Sequence, residues 1–391
     1  MADPATTGLT HDVIVVGAGP AGATAARVMA LRGLRVALID KAAFPRDKLC
    51  GGGVTGRAMG HLRAAFDDLP EALFHRCDDV RLMAGARVLG VETDGPPLFM
   101  TMRRDFDAAL RARAMAAGAD DFCGQRIAAM DLATGTLRLT GGAKVRAAVV
   151  IGADGVNSAV ARALFGRAQD PAQVAFALEI EVPGATSSHL ELDMVAARWG
   201  YGWDFPKAGG RTLGIGGAAL RNDDLPQRFD QWLRARGIDP AQVRIKGHHL
   251  PMGEVKQVPG RDHVLLVGDA AGLVDPVTGE GIGWAVHSGQ LAAEAAIEAL
   301  SLGRPERTLA LYQARAAHMM RELRRARLVA KIVYHPRLQP RFLDVMAQSR
   351  HTRRRYLDLL GGKMDYVDLG PARLARLALR LLLRRGGPAA G

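Results

Sequence analysis

The sequence predicts an α/β fold: a Rossmann-like dinucleotide-binding domain interleaved with a mostly antiparallel β-sheet substrate domain, followed by C-terminal helices. Two glycine-rich segments and the stretch between them carry this expectation. Asp12–Gly22, DVIVVGAGPAG, joins a short apolar run to a glycine turn. Val267–Trp284, VGDAAGLVDPVTGEGIGW, is a second such segment far downstream. Between them, residues 175–220 alternate apolar and polar with frequent glycines, as strands with one buried face do.

In chain order, Val13–Val16 is wholly apolar and β-branched, the pattern of a buried parallel strand. Gly17–Gly22 turns the chain, and Ala23–Arg32 reads as a small-residue helix. Leu34–Ile39 is a second strand ending in Asp40, which completes a β-turn-α-β unit. Segment 78–100 reads as irregular β structure and Arg104–Ala117 as a helix. Val145–Gly152 is another buried strand, followed by the turn Ala153-Asp154-Gly155. His263–Val267 is a strand returning to the first sheet, and Gly281–Leu300 is an alanine-rich helix. From about 305 the chain is helical, with breaks at Pro336, Pro340, Gly361-Gly362 and Gly370-Pro371. The expected division is 1–75, 101–165 and 260–305 for the nucleotide domain, 76–100 and 166–259 for the substrate domain, and 306–391 for a basic helical region.

Charge is distributed unevenly. The chain carries +12 in total, and Arg321–Gly391 holds 17 Lys/Arg against 5 Asp/Glu, leaving 35 of each sign before it. Basicity therefore belongs to a C-terminal appendage. That argues against a nucleic-acid groove and for a local anionic surface partner. Within it, Pro371–Arg385 places Arg373, Arg376, Arg380 and Arg384 on one helical stripe with leucines around most of the rest. Such a helix suits either a bilayer interface or docking on the body. No apolar run approaches the roughly 18 residues of a membrane span. The opening MADPATTGLTHD lacks signal-peptide features, so a cytoplasmic protein, peripherally membrane-associated at most, is expected. Cys50, Cys77 and Cys123 are too few and scattered for a disulfide framework or a zinc site. His248 and His249 have no partner at metal-ligand spacing, so no metal is expected.

The glycine turn carries the first chemistry. Gly17 permits the tight turn, Gly19 lets the backbone approach a pyrophosphate, and Gly22 allows close helix–strand contact. The helix N-terminus offers orphan N–H groups and a favourable dipole to the anion. Asp40 would accept hydrogen bonds from ribose hydroxyls.

Further motifs stand in a fixed order: Lys48-Leu49-Cys50-Gly51-Gly52-Gly53, Arg103-x-x-Phe106-Asp107, Ala153-Asp154-Gly155, Tyr201-Gly202-Trp203-Asp204-Phe205-Pro206-Lys207, Gly268-Asp269 and Gly281-Ile282. With them the chain resembles the FAD-dependent geranylgeranyl reductase family of the p-hydroxybenzoate-hydroxylase-like flavoproteins, over about residues 12–300. The resemblance implies FAD as cofactor. It assigns Arg103 to the flavin, Asp269 to the ribityl chain, and Gly281 and Ile282 to a helix opening at the flavin ring. It adds Ala21, Cys50, Gly51, Gly53 and Ile127 to the cofactor contacts. The segment Lys48–Gly53 resembles the reductases' KxCGG motif, which would put the Cys50 thiol near the flavin edge. The segment Tyr201–Lys207 resembles their YxWxFP motif.

In a strand, Tyr201, Trp203 and Phe205 share one face, a wall suited to a long unsaturated chain or simply to a sheet core. Cys50, Tyr201 and Trp203 are the catalytic candidates. Glu280 is either a functional carboxylate or a helix N-terminal acid. The expected activity is reduction of isoprenoid C=C bonds, most of all a geranylgeranyl group, by hydride from reduced flavin. Other readings are a monooxygenase or halogenase acting through a flavin C4a oxygen adduct, and a non-catalytic prenyl-binding escort. A quinone-reducing flavoprotein is disfavoured by the missing cysteine cluster. The partners expected are a prenyl lipid or prenylated pigment as substrate and NAD(P)H or ferredoxin as undecided electron donor.

Overall fold

The apolar run Val13–Val16 is a central strand of a six-stranded sheet whose order is Gly260–Arg261, Val264–Leu266, Val149–Gly152, Val13–Val16, Val36–Asp40, Asp120–Cys123. Its pairings are parallel except at the edge strand Gly260–Arg261. The computed structural model describes residues 10–184 and 189–383. The opening nine residues, and Arg384 and Arg385 of the tail, lie outside them.

The described helices are α1 Pro20–Ala30, α2 Gly56–Ala65, α3 Arg103–Ala116, α4 Ala159–Phe165, α5 Leu225–Arg234, α6 Ile282–Ser301, α7 Thr308–Val333, α8 Gln339–Gln348, α9 Arg350–Leu360 and α10 Pro371–Leu383. Helix α1 starts earlier than its apolar pattern suggests, because Pro20 occupies the first turn, where its missing N–H costs nothing. Small residues on α1 and α6 let the two helices pack closely; Ala21, Ala25, Ala292 and Ala296 share the first core with the sheet.

The second large sheet has seven strands in the order Lys246–Leu250, Ala175–Pro183, Gly210–Ala218, Gly200–Lys207, Leu190–Asp193, Val80–Ala84, Arg87–Glu92. It is antiparallel apart from the pair Leu190–Asp193 and Val80–Ala84. One face of this sheet packs on α7–α10, so Trp203, Leu192, Tyr334, Tyr356 and Leu381 belong to one apolar cluster.

Two differences from the sequence reading have local causes. The run Val145–Gly152 splits into Lys144–Arg146 and Val149–Gly152, in separate sheets. The chain turns at Ala147, whose N–H bonds Gly135 rather than continuing the central sheet. Helix α10 buries Leu374 and Leu381 while Leu379 stays 55% exposed. Part of its leucine surface therefore docks on the body. Among the described residues no helix is long and apolar enough to cross a membrane.

Candidate active site

Gly17 stands at φ +102°, and a Cβ there would lie 2.3 Å from the carbonyl oxygen of Ala153. A Cβ on Gly22 would lie 1.7 Å from the carbonyl oxygen of Gly17. Both positions are closed to side chains by backbone atoms that cannot step aside. At Gly19 the nearest atom is an Arg46 guanidinium nitrogen 3.6 Å away, so that stretch of backbone lies bare to a cavity. No side chain caps the N-terminus of α1, and its first-turn N–H groups are left for a ligand. Asp40 Oδ2 accepts the Ala18 N–H at 2.8 Å and Oδ1 accepts the Ala42 N–H at 2.9 Å, which fixes the carboxylate at the strand end.

The cavity measures about 730 Å³. Gly17, Gly19, Ala21, Asp40, Cys50, Gly51, Gly53, Arg103, Ile127, Asp269, Gly281 and Ile282 line it, and so do Tyr201 and Trp203. Gly22 does not; it lies one layer below, where α1 meets the turn. Residues separated by more than two hundred positions thus border one space.

The aromatic strand forms its far wall. Ring centroids of Tyr201 and Trp203 are 6.0 Å apart, and those of Trp203 and Phe205 are 6.3 Å apart. Cross-strand register puts Leu192 beside Trp203 and places Gly214 and Gly216 opposite Trp203 and Tyr201. The Trp203 ring lies across Gly214, where a Cβ would approach it to 2.3 Å, while Gly216 leaves a trough open to the cavity. Leu98, Met100, Leu190, Leu250, Met252 and Leu360 complete an apolar half. The Tyr201 hydroxyl donates to the Thr278 carbonyl at 2.5 Å, tying this wall to the loop before α6.

Between the two halves runs the glycine loop Cys50–Gly53. A Cβ on Gly51 would sit 2.9 Å from the Phe205 ring and 3.2 Å from Trp203 Nε1, so this backbone lies directly on the aromatic strand. The Gly52 N–H points to Cys50 Sγ at 3.4 Å. The buried Trp203 Nε1 has no hydrogen-bond partner among the described residues.

Charged groups ring this junction. Arg103 donates through Nε and Nη2 to both oxygens of Asp107, at 2.7 and 2.8 Å, and Arg46 reaches the same carboxylate at 3.1 Å. Burial opposes the Arg103 charge, but Asp107 outweighs it and holds the guanidinium protonated. Glu280 is buried, and its carboxylate accepts the Thr55 hydroxyl at 2.7 Å. Burial pushes Glu280 up to about 7, against the Thr55 hydrogen bond. Lys48 contacts His248, which burial and the neighbouring ammonium push down to about 3, so the ring is neutral at physiological pH. Asp154 is occupied at the start of α4, accepting the hydroxyl of its N-cap Ser158 at 2.5 Å and the Ala159 N–H at 2.6 Å.

Sequence reasoning gave His248 no role and missed the trough at Gly216 and the Thr55–Glu280 bond. The alternation across residues 175–220 held the only signal for the trough: glycines at two successive positions of one strand face.

Comparison with known proteins agrees with this geometry. An FAD binding domain family matches residues 10–182. A geranylgeranyl diphosphate reductase of Rhodobacter capsulatus is 33% identical over 312 residues, covering 76% of this chain and 78% of that one. A digeranylgeranylglycerophospholipid reductase of Methanosarcina mazei is 32% identical over 315 residues, covering 75% and 76%. A geranylgeranyl bacteriochlorophyll reductase-like protein from Thermoplasma acidophilum shares the fold, with a TM-score of 0.79 at 23% identity over 95% of this chain and 99% of that one. The residues fit FAD: the bare backbone at Gly19, the uncapped start of α1 and the orphan indole N–H are groups a bound dinucleotide or its substrate would satisfy. This protein is an FAD-dependent oxidoreductase and belongs to the geranylgeranyl reductase family.

Proposed function

We propose that this enzyme saturates carbon–carbon double bonds of an isoprenoid chain, with a geranylgeranyl group as the chain it takes. The observation that carries the reading is the junction at Cys50–Gly53, where a nucleotide cradle and a wall of Tyr201, Trp203, Phe205, Leu190 and Leu192 border one cavity. Such a wall holds an alkene by shape and dispersion, the forces available to a chain without polar groups.

Gly17, Gly19, Ala21, Asp40, Arg103, Ile127, Asp269, Gly281 and Ile282 would hold the FAD, with Gly22 packing the turn beneath it. Bound and reduced, the cofactor supplies a hydride to one alkene carbon. The protein must then place that carbon, exclude water and deliver a proton to the other. Gly51 and Gly53 keep side chains out of the approach. Trp203 and Phe205 fix the plane of the double bond. Cys50 Sγ, at the junction, would lie beside the path by which that proton arrives. Tyr201 has its hydroxyl proton committed to the Thr278 carbonyl, so its part is to anchor the wall rather than to act as the acid.

The apolar character of this half favours reduction over hydroxylation or halogenation of a small aromatic, which would need polar groups to orient a ring. The headgroup could be a diphosphate, a phospholipid, a quinone or a pigment, and the relatives are themselves named for different ones. The outward-facing Arg376 and Leu379 of α10 support contact with a lipid surface.

The decisive experiment is anaerobic. The bound flavin is reduced chemically, geranylgeranyl compounds with different headgroups are added, and reoxidation is followed with mass spectrometry of the product. Reoxidation with two hydrogens gained per bond is expected; a reduced flavin indifferent to every prenyl compound but reoxidised by oxygen with a small aromatic would overturn the reading. A Cys50→Ala variant of undiminished rate and stereochemistry would remove the cysteine from the proton path.

A further inference from the structure

Helix α7 presents to solvent a stripe that the redox site does not use. Arg321, Arg324, Arg325, Leu328 and Lys331 recur at the spacing of one helical face. Arg321, Arg324 and Lys331 are exposed, and Leu328 in their midst is 45% exposed. The three arginines, Leu328 and Val367 surround a shallow groove of about 290 Å³. None of the three arginines has a carboxylate partner among the described residues.

The acid nearest in sequence, Glu322, faces inward. It is 1% exposed, and its two oxygens accept the backbone N–H groups of Tyr366 and Val367 at 2.7 and 2.8 Å. That carboxylate straps the segment 366–367 to α7 and leaves the arginines uncompensated. It also brings together His318, Glu322 and Asp365, which resemble a metal-ligand set. Both Glu322 oxygens are taken, however, and Asp365 pairs with Arg57 at 3.0 Å.

We propose that this groove docks the protein on the surface of an anionic phospholipid bilayer. Guanidinium groups match headgroup phosphates in charge and geometry. Leu328 and Val367 would enter the acyl boundary, a contact that an acidic protein partner would not repay as well. The neighbouring α10 extends the same character, with Arg376 and Leu379 facing outward. The strap carries Tyr366 into the apolar cluster that includes Leu360, a residue of the cavity wall, so one apolar cluster backs both the docked face and the cavity. The inference stands on surface charge and deepens the prenyl-lipid reading by naming where such a substrate would be met.

The test uses the full-length holoprotein and co-sedimentation with phosphatidylcholine vesicles, either pure or containing roughly one-third phosphatidylglycerol. Binding to the anionic vesicles alone is expected, reversed by salt. Charge reversal in R321E/R324E/R325E should lower the partition at least about tenfold, with the flavin spectrum and melting temperature unchanged. Leu328→Asp should lower it to a lesser degree. Wild-type protein that ignores anionic vesicles, or a triple variant that sediments like wild type, would overturn the proposal. Loss on charge reversal with no effect of Leu328→Asp would overturn the acyl contact of Leu328 and leave headgroup charge alone as the attachment. If the triple variant misfolds, single Arg→Gln changes and the salt titration of the wild type decide the matter. No turnover is measured, so failure here leaves the prenyl-reduction reading standing, and failure of that reading leaves vesicle binding to be judged alone.

Discussion

The two halves of the cavity are built by opposite means. In the nucleotide half, backbone atoms set the shape: Gly17 and Gly22 each exclude a Cβ by contact with a carbonyl oxygen. In the apolar half, side chains set most of it, and the strand Gly210–Ala218 contributes by omission at Gly214 and Gly216. The first half tolerates almost no change and binds a cofactor of invariant shape. The second can be reshaped one side chain at a time, which suits a surface that must match substrates differing in headgroup or length.

Gly22→Val should break this comparison on its rigid side. The new Cβ would overlap the Gly17 carbonyl, and neither α1 nor the turn can retreat without opening the sheet. A loss of several kcal/mol, roughly 3–5, is expected, with colourless protein on purification. Flavin absorbance per chain and the unfolding midpoint measure it. A yellow, stable variant would mean the turn is looser than its contacts imply.

Glu280 sits where the halves meet, and its titration joins them. Burial raises it from its ordinary 4.5 to about 7, so folding favours the neutral acid. Between those values the native state holds more protons than the unfolded one, and stability falls as pH rises. The contribution is complete below about 4.5 and gone above about 7, at most about 3 kcal/mol. In Glu280→Gln the amide oxygen still accepts from Thr55 and cannot ionise. Its unfolding midpoint should therefore drop less between pH 5 and pH 8 than the wild type's. Glu179 and Asp204, raised in the same direction, are present in both proteins and cancel in the difference. Parallel curves for the two proteins would sink the assignment.

This division also governs what could be read from the residues alone. Val13–Gly22 and Asp40 belong to one β-turn-α-β unit, so spacing reveals both the local fold and the cradle, although the atom that closes Gly17 comes from Ala153, far along the chain. The trough at Gly216, the bond from Thr55 to Glu280 and the Lys48–His248 contact each join segments far apart in the chain. No local pattern encodes such pairings, because they follow from how the two sheets are set against each other. The same reason hid the fate of α10. Its periodicity describes an amphipathic helix equally well on a bilayer or on a protein, and only the burial of Leu374 and Leu381 distinguishes them.

On the adaptable side, Gly216→Val should fill the trough without touching the cradle. Its Cβ would meet Ala177 Cβ at 3.1 Å and the Trp203 ring at 3.5 Å, so the paired strands must part by a few tenths of an ångström. Flavin content should stay full while kcat/KM for a geranylgeranyl substrate falls about 30-fold, or roughly 2 kcal/mol. A shorter prenyl chain should lose less. Equal losses on both chains would place the substrate elsewhere in the cavity.

The smallest change asks whether the wall must be anchored to the loop before α6. Tyr201→Phe keeps the ring and deletes the hydroxyl, leaving the Thr278 carbonyl without that donor. A lost hydrogen bond of this kind costs about 1 kcal/mol, rising toward 2 where water cannot replace it. If Tyr201 only anchors, kcat and kcat/KM should fall together by less than about tenfold, with the pH profile unmoved, because no proton passes through the ring. Loss of the basic or acidic limb of that profile would instead return Tyr201 to proton transfer and leave Cys50 without its part.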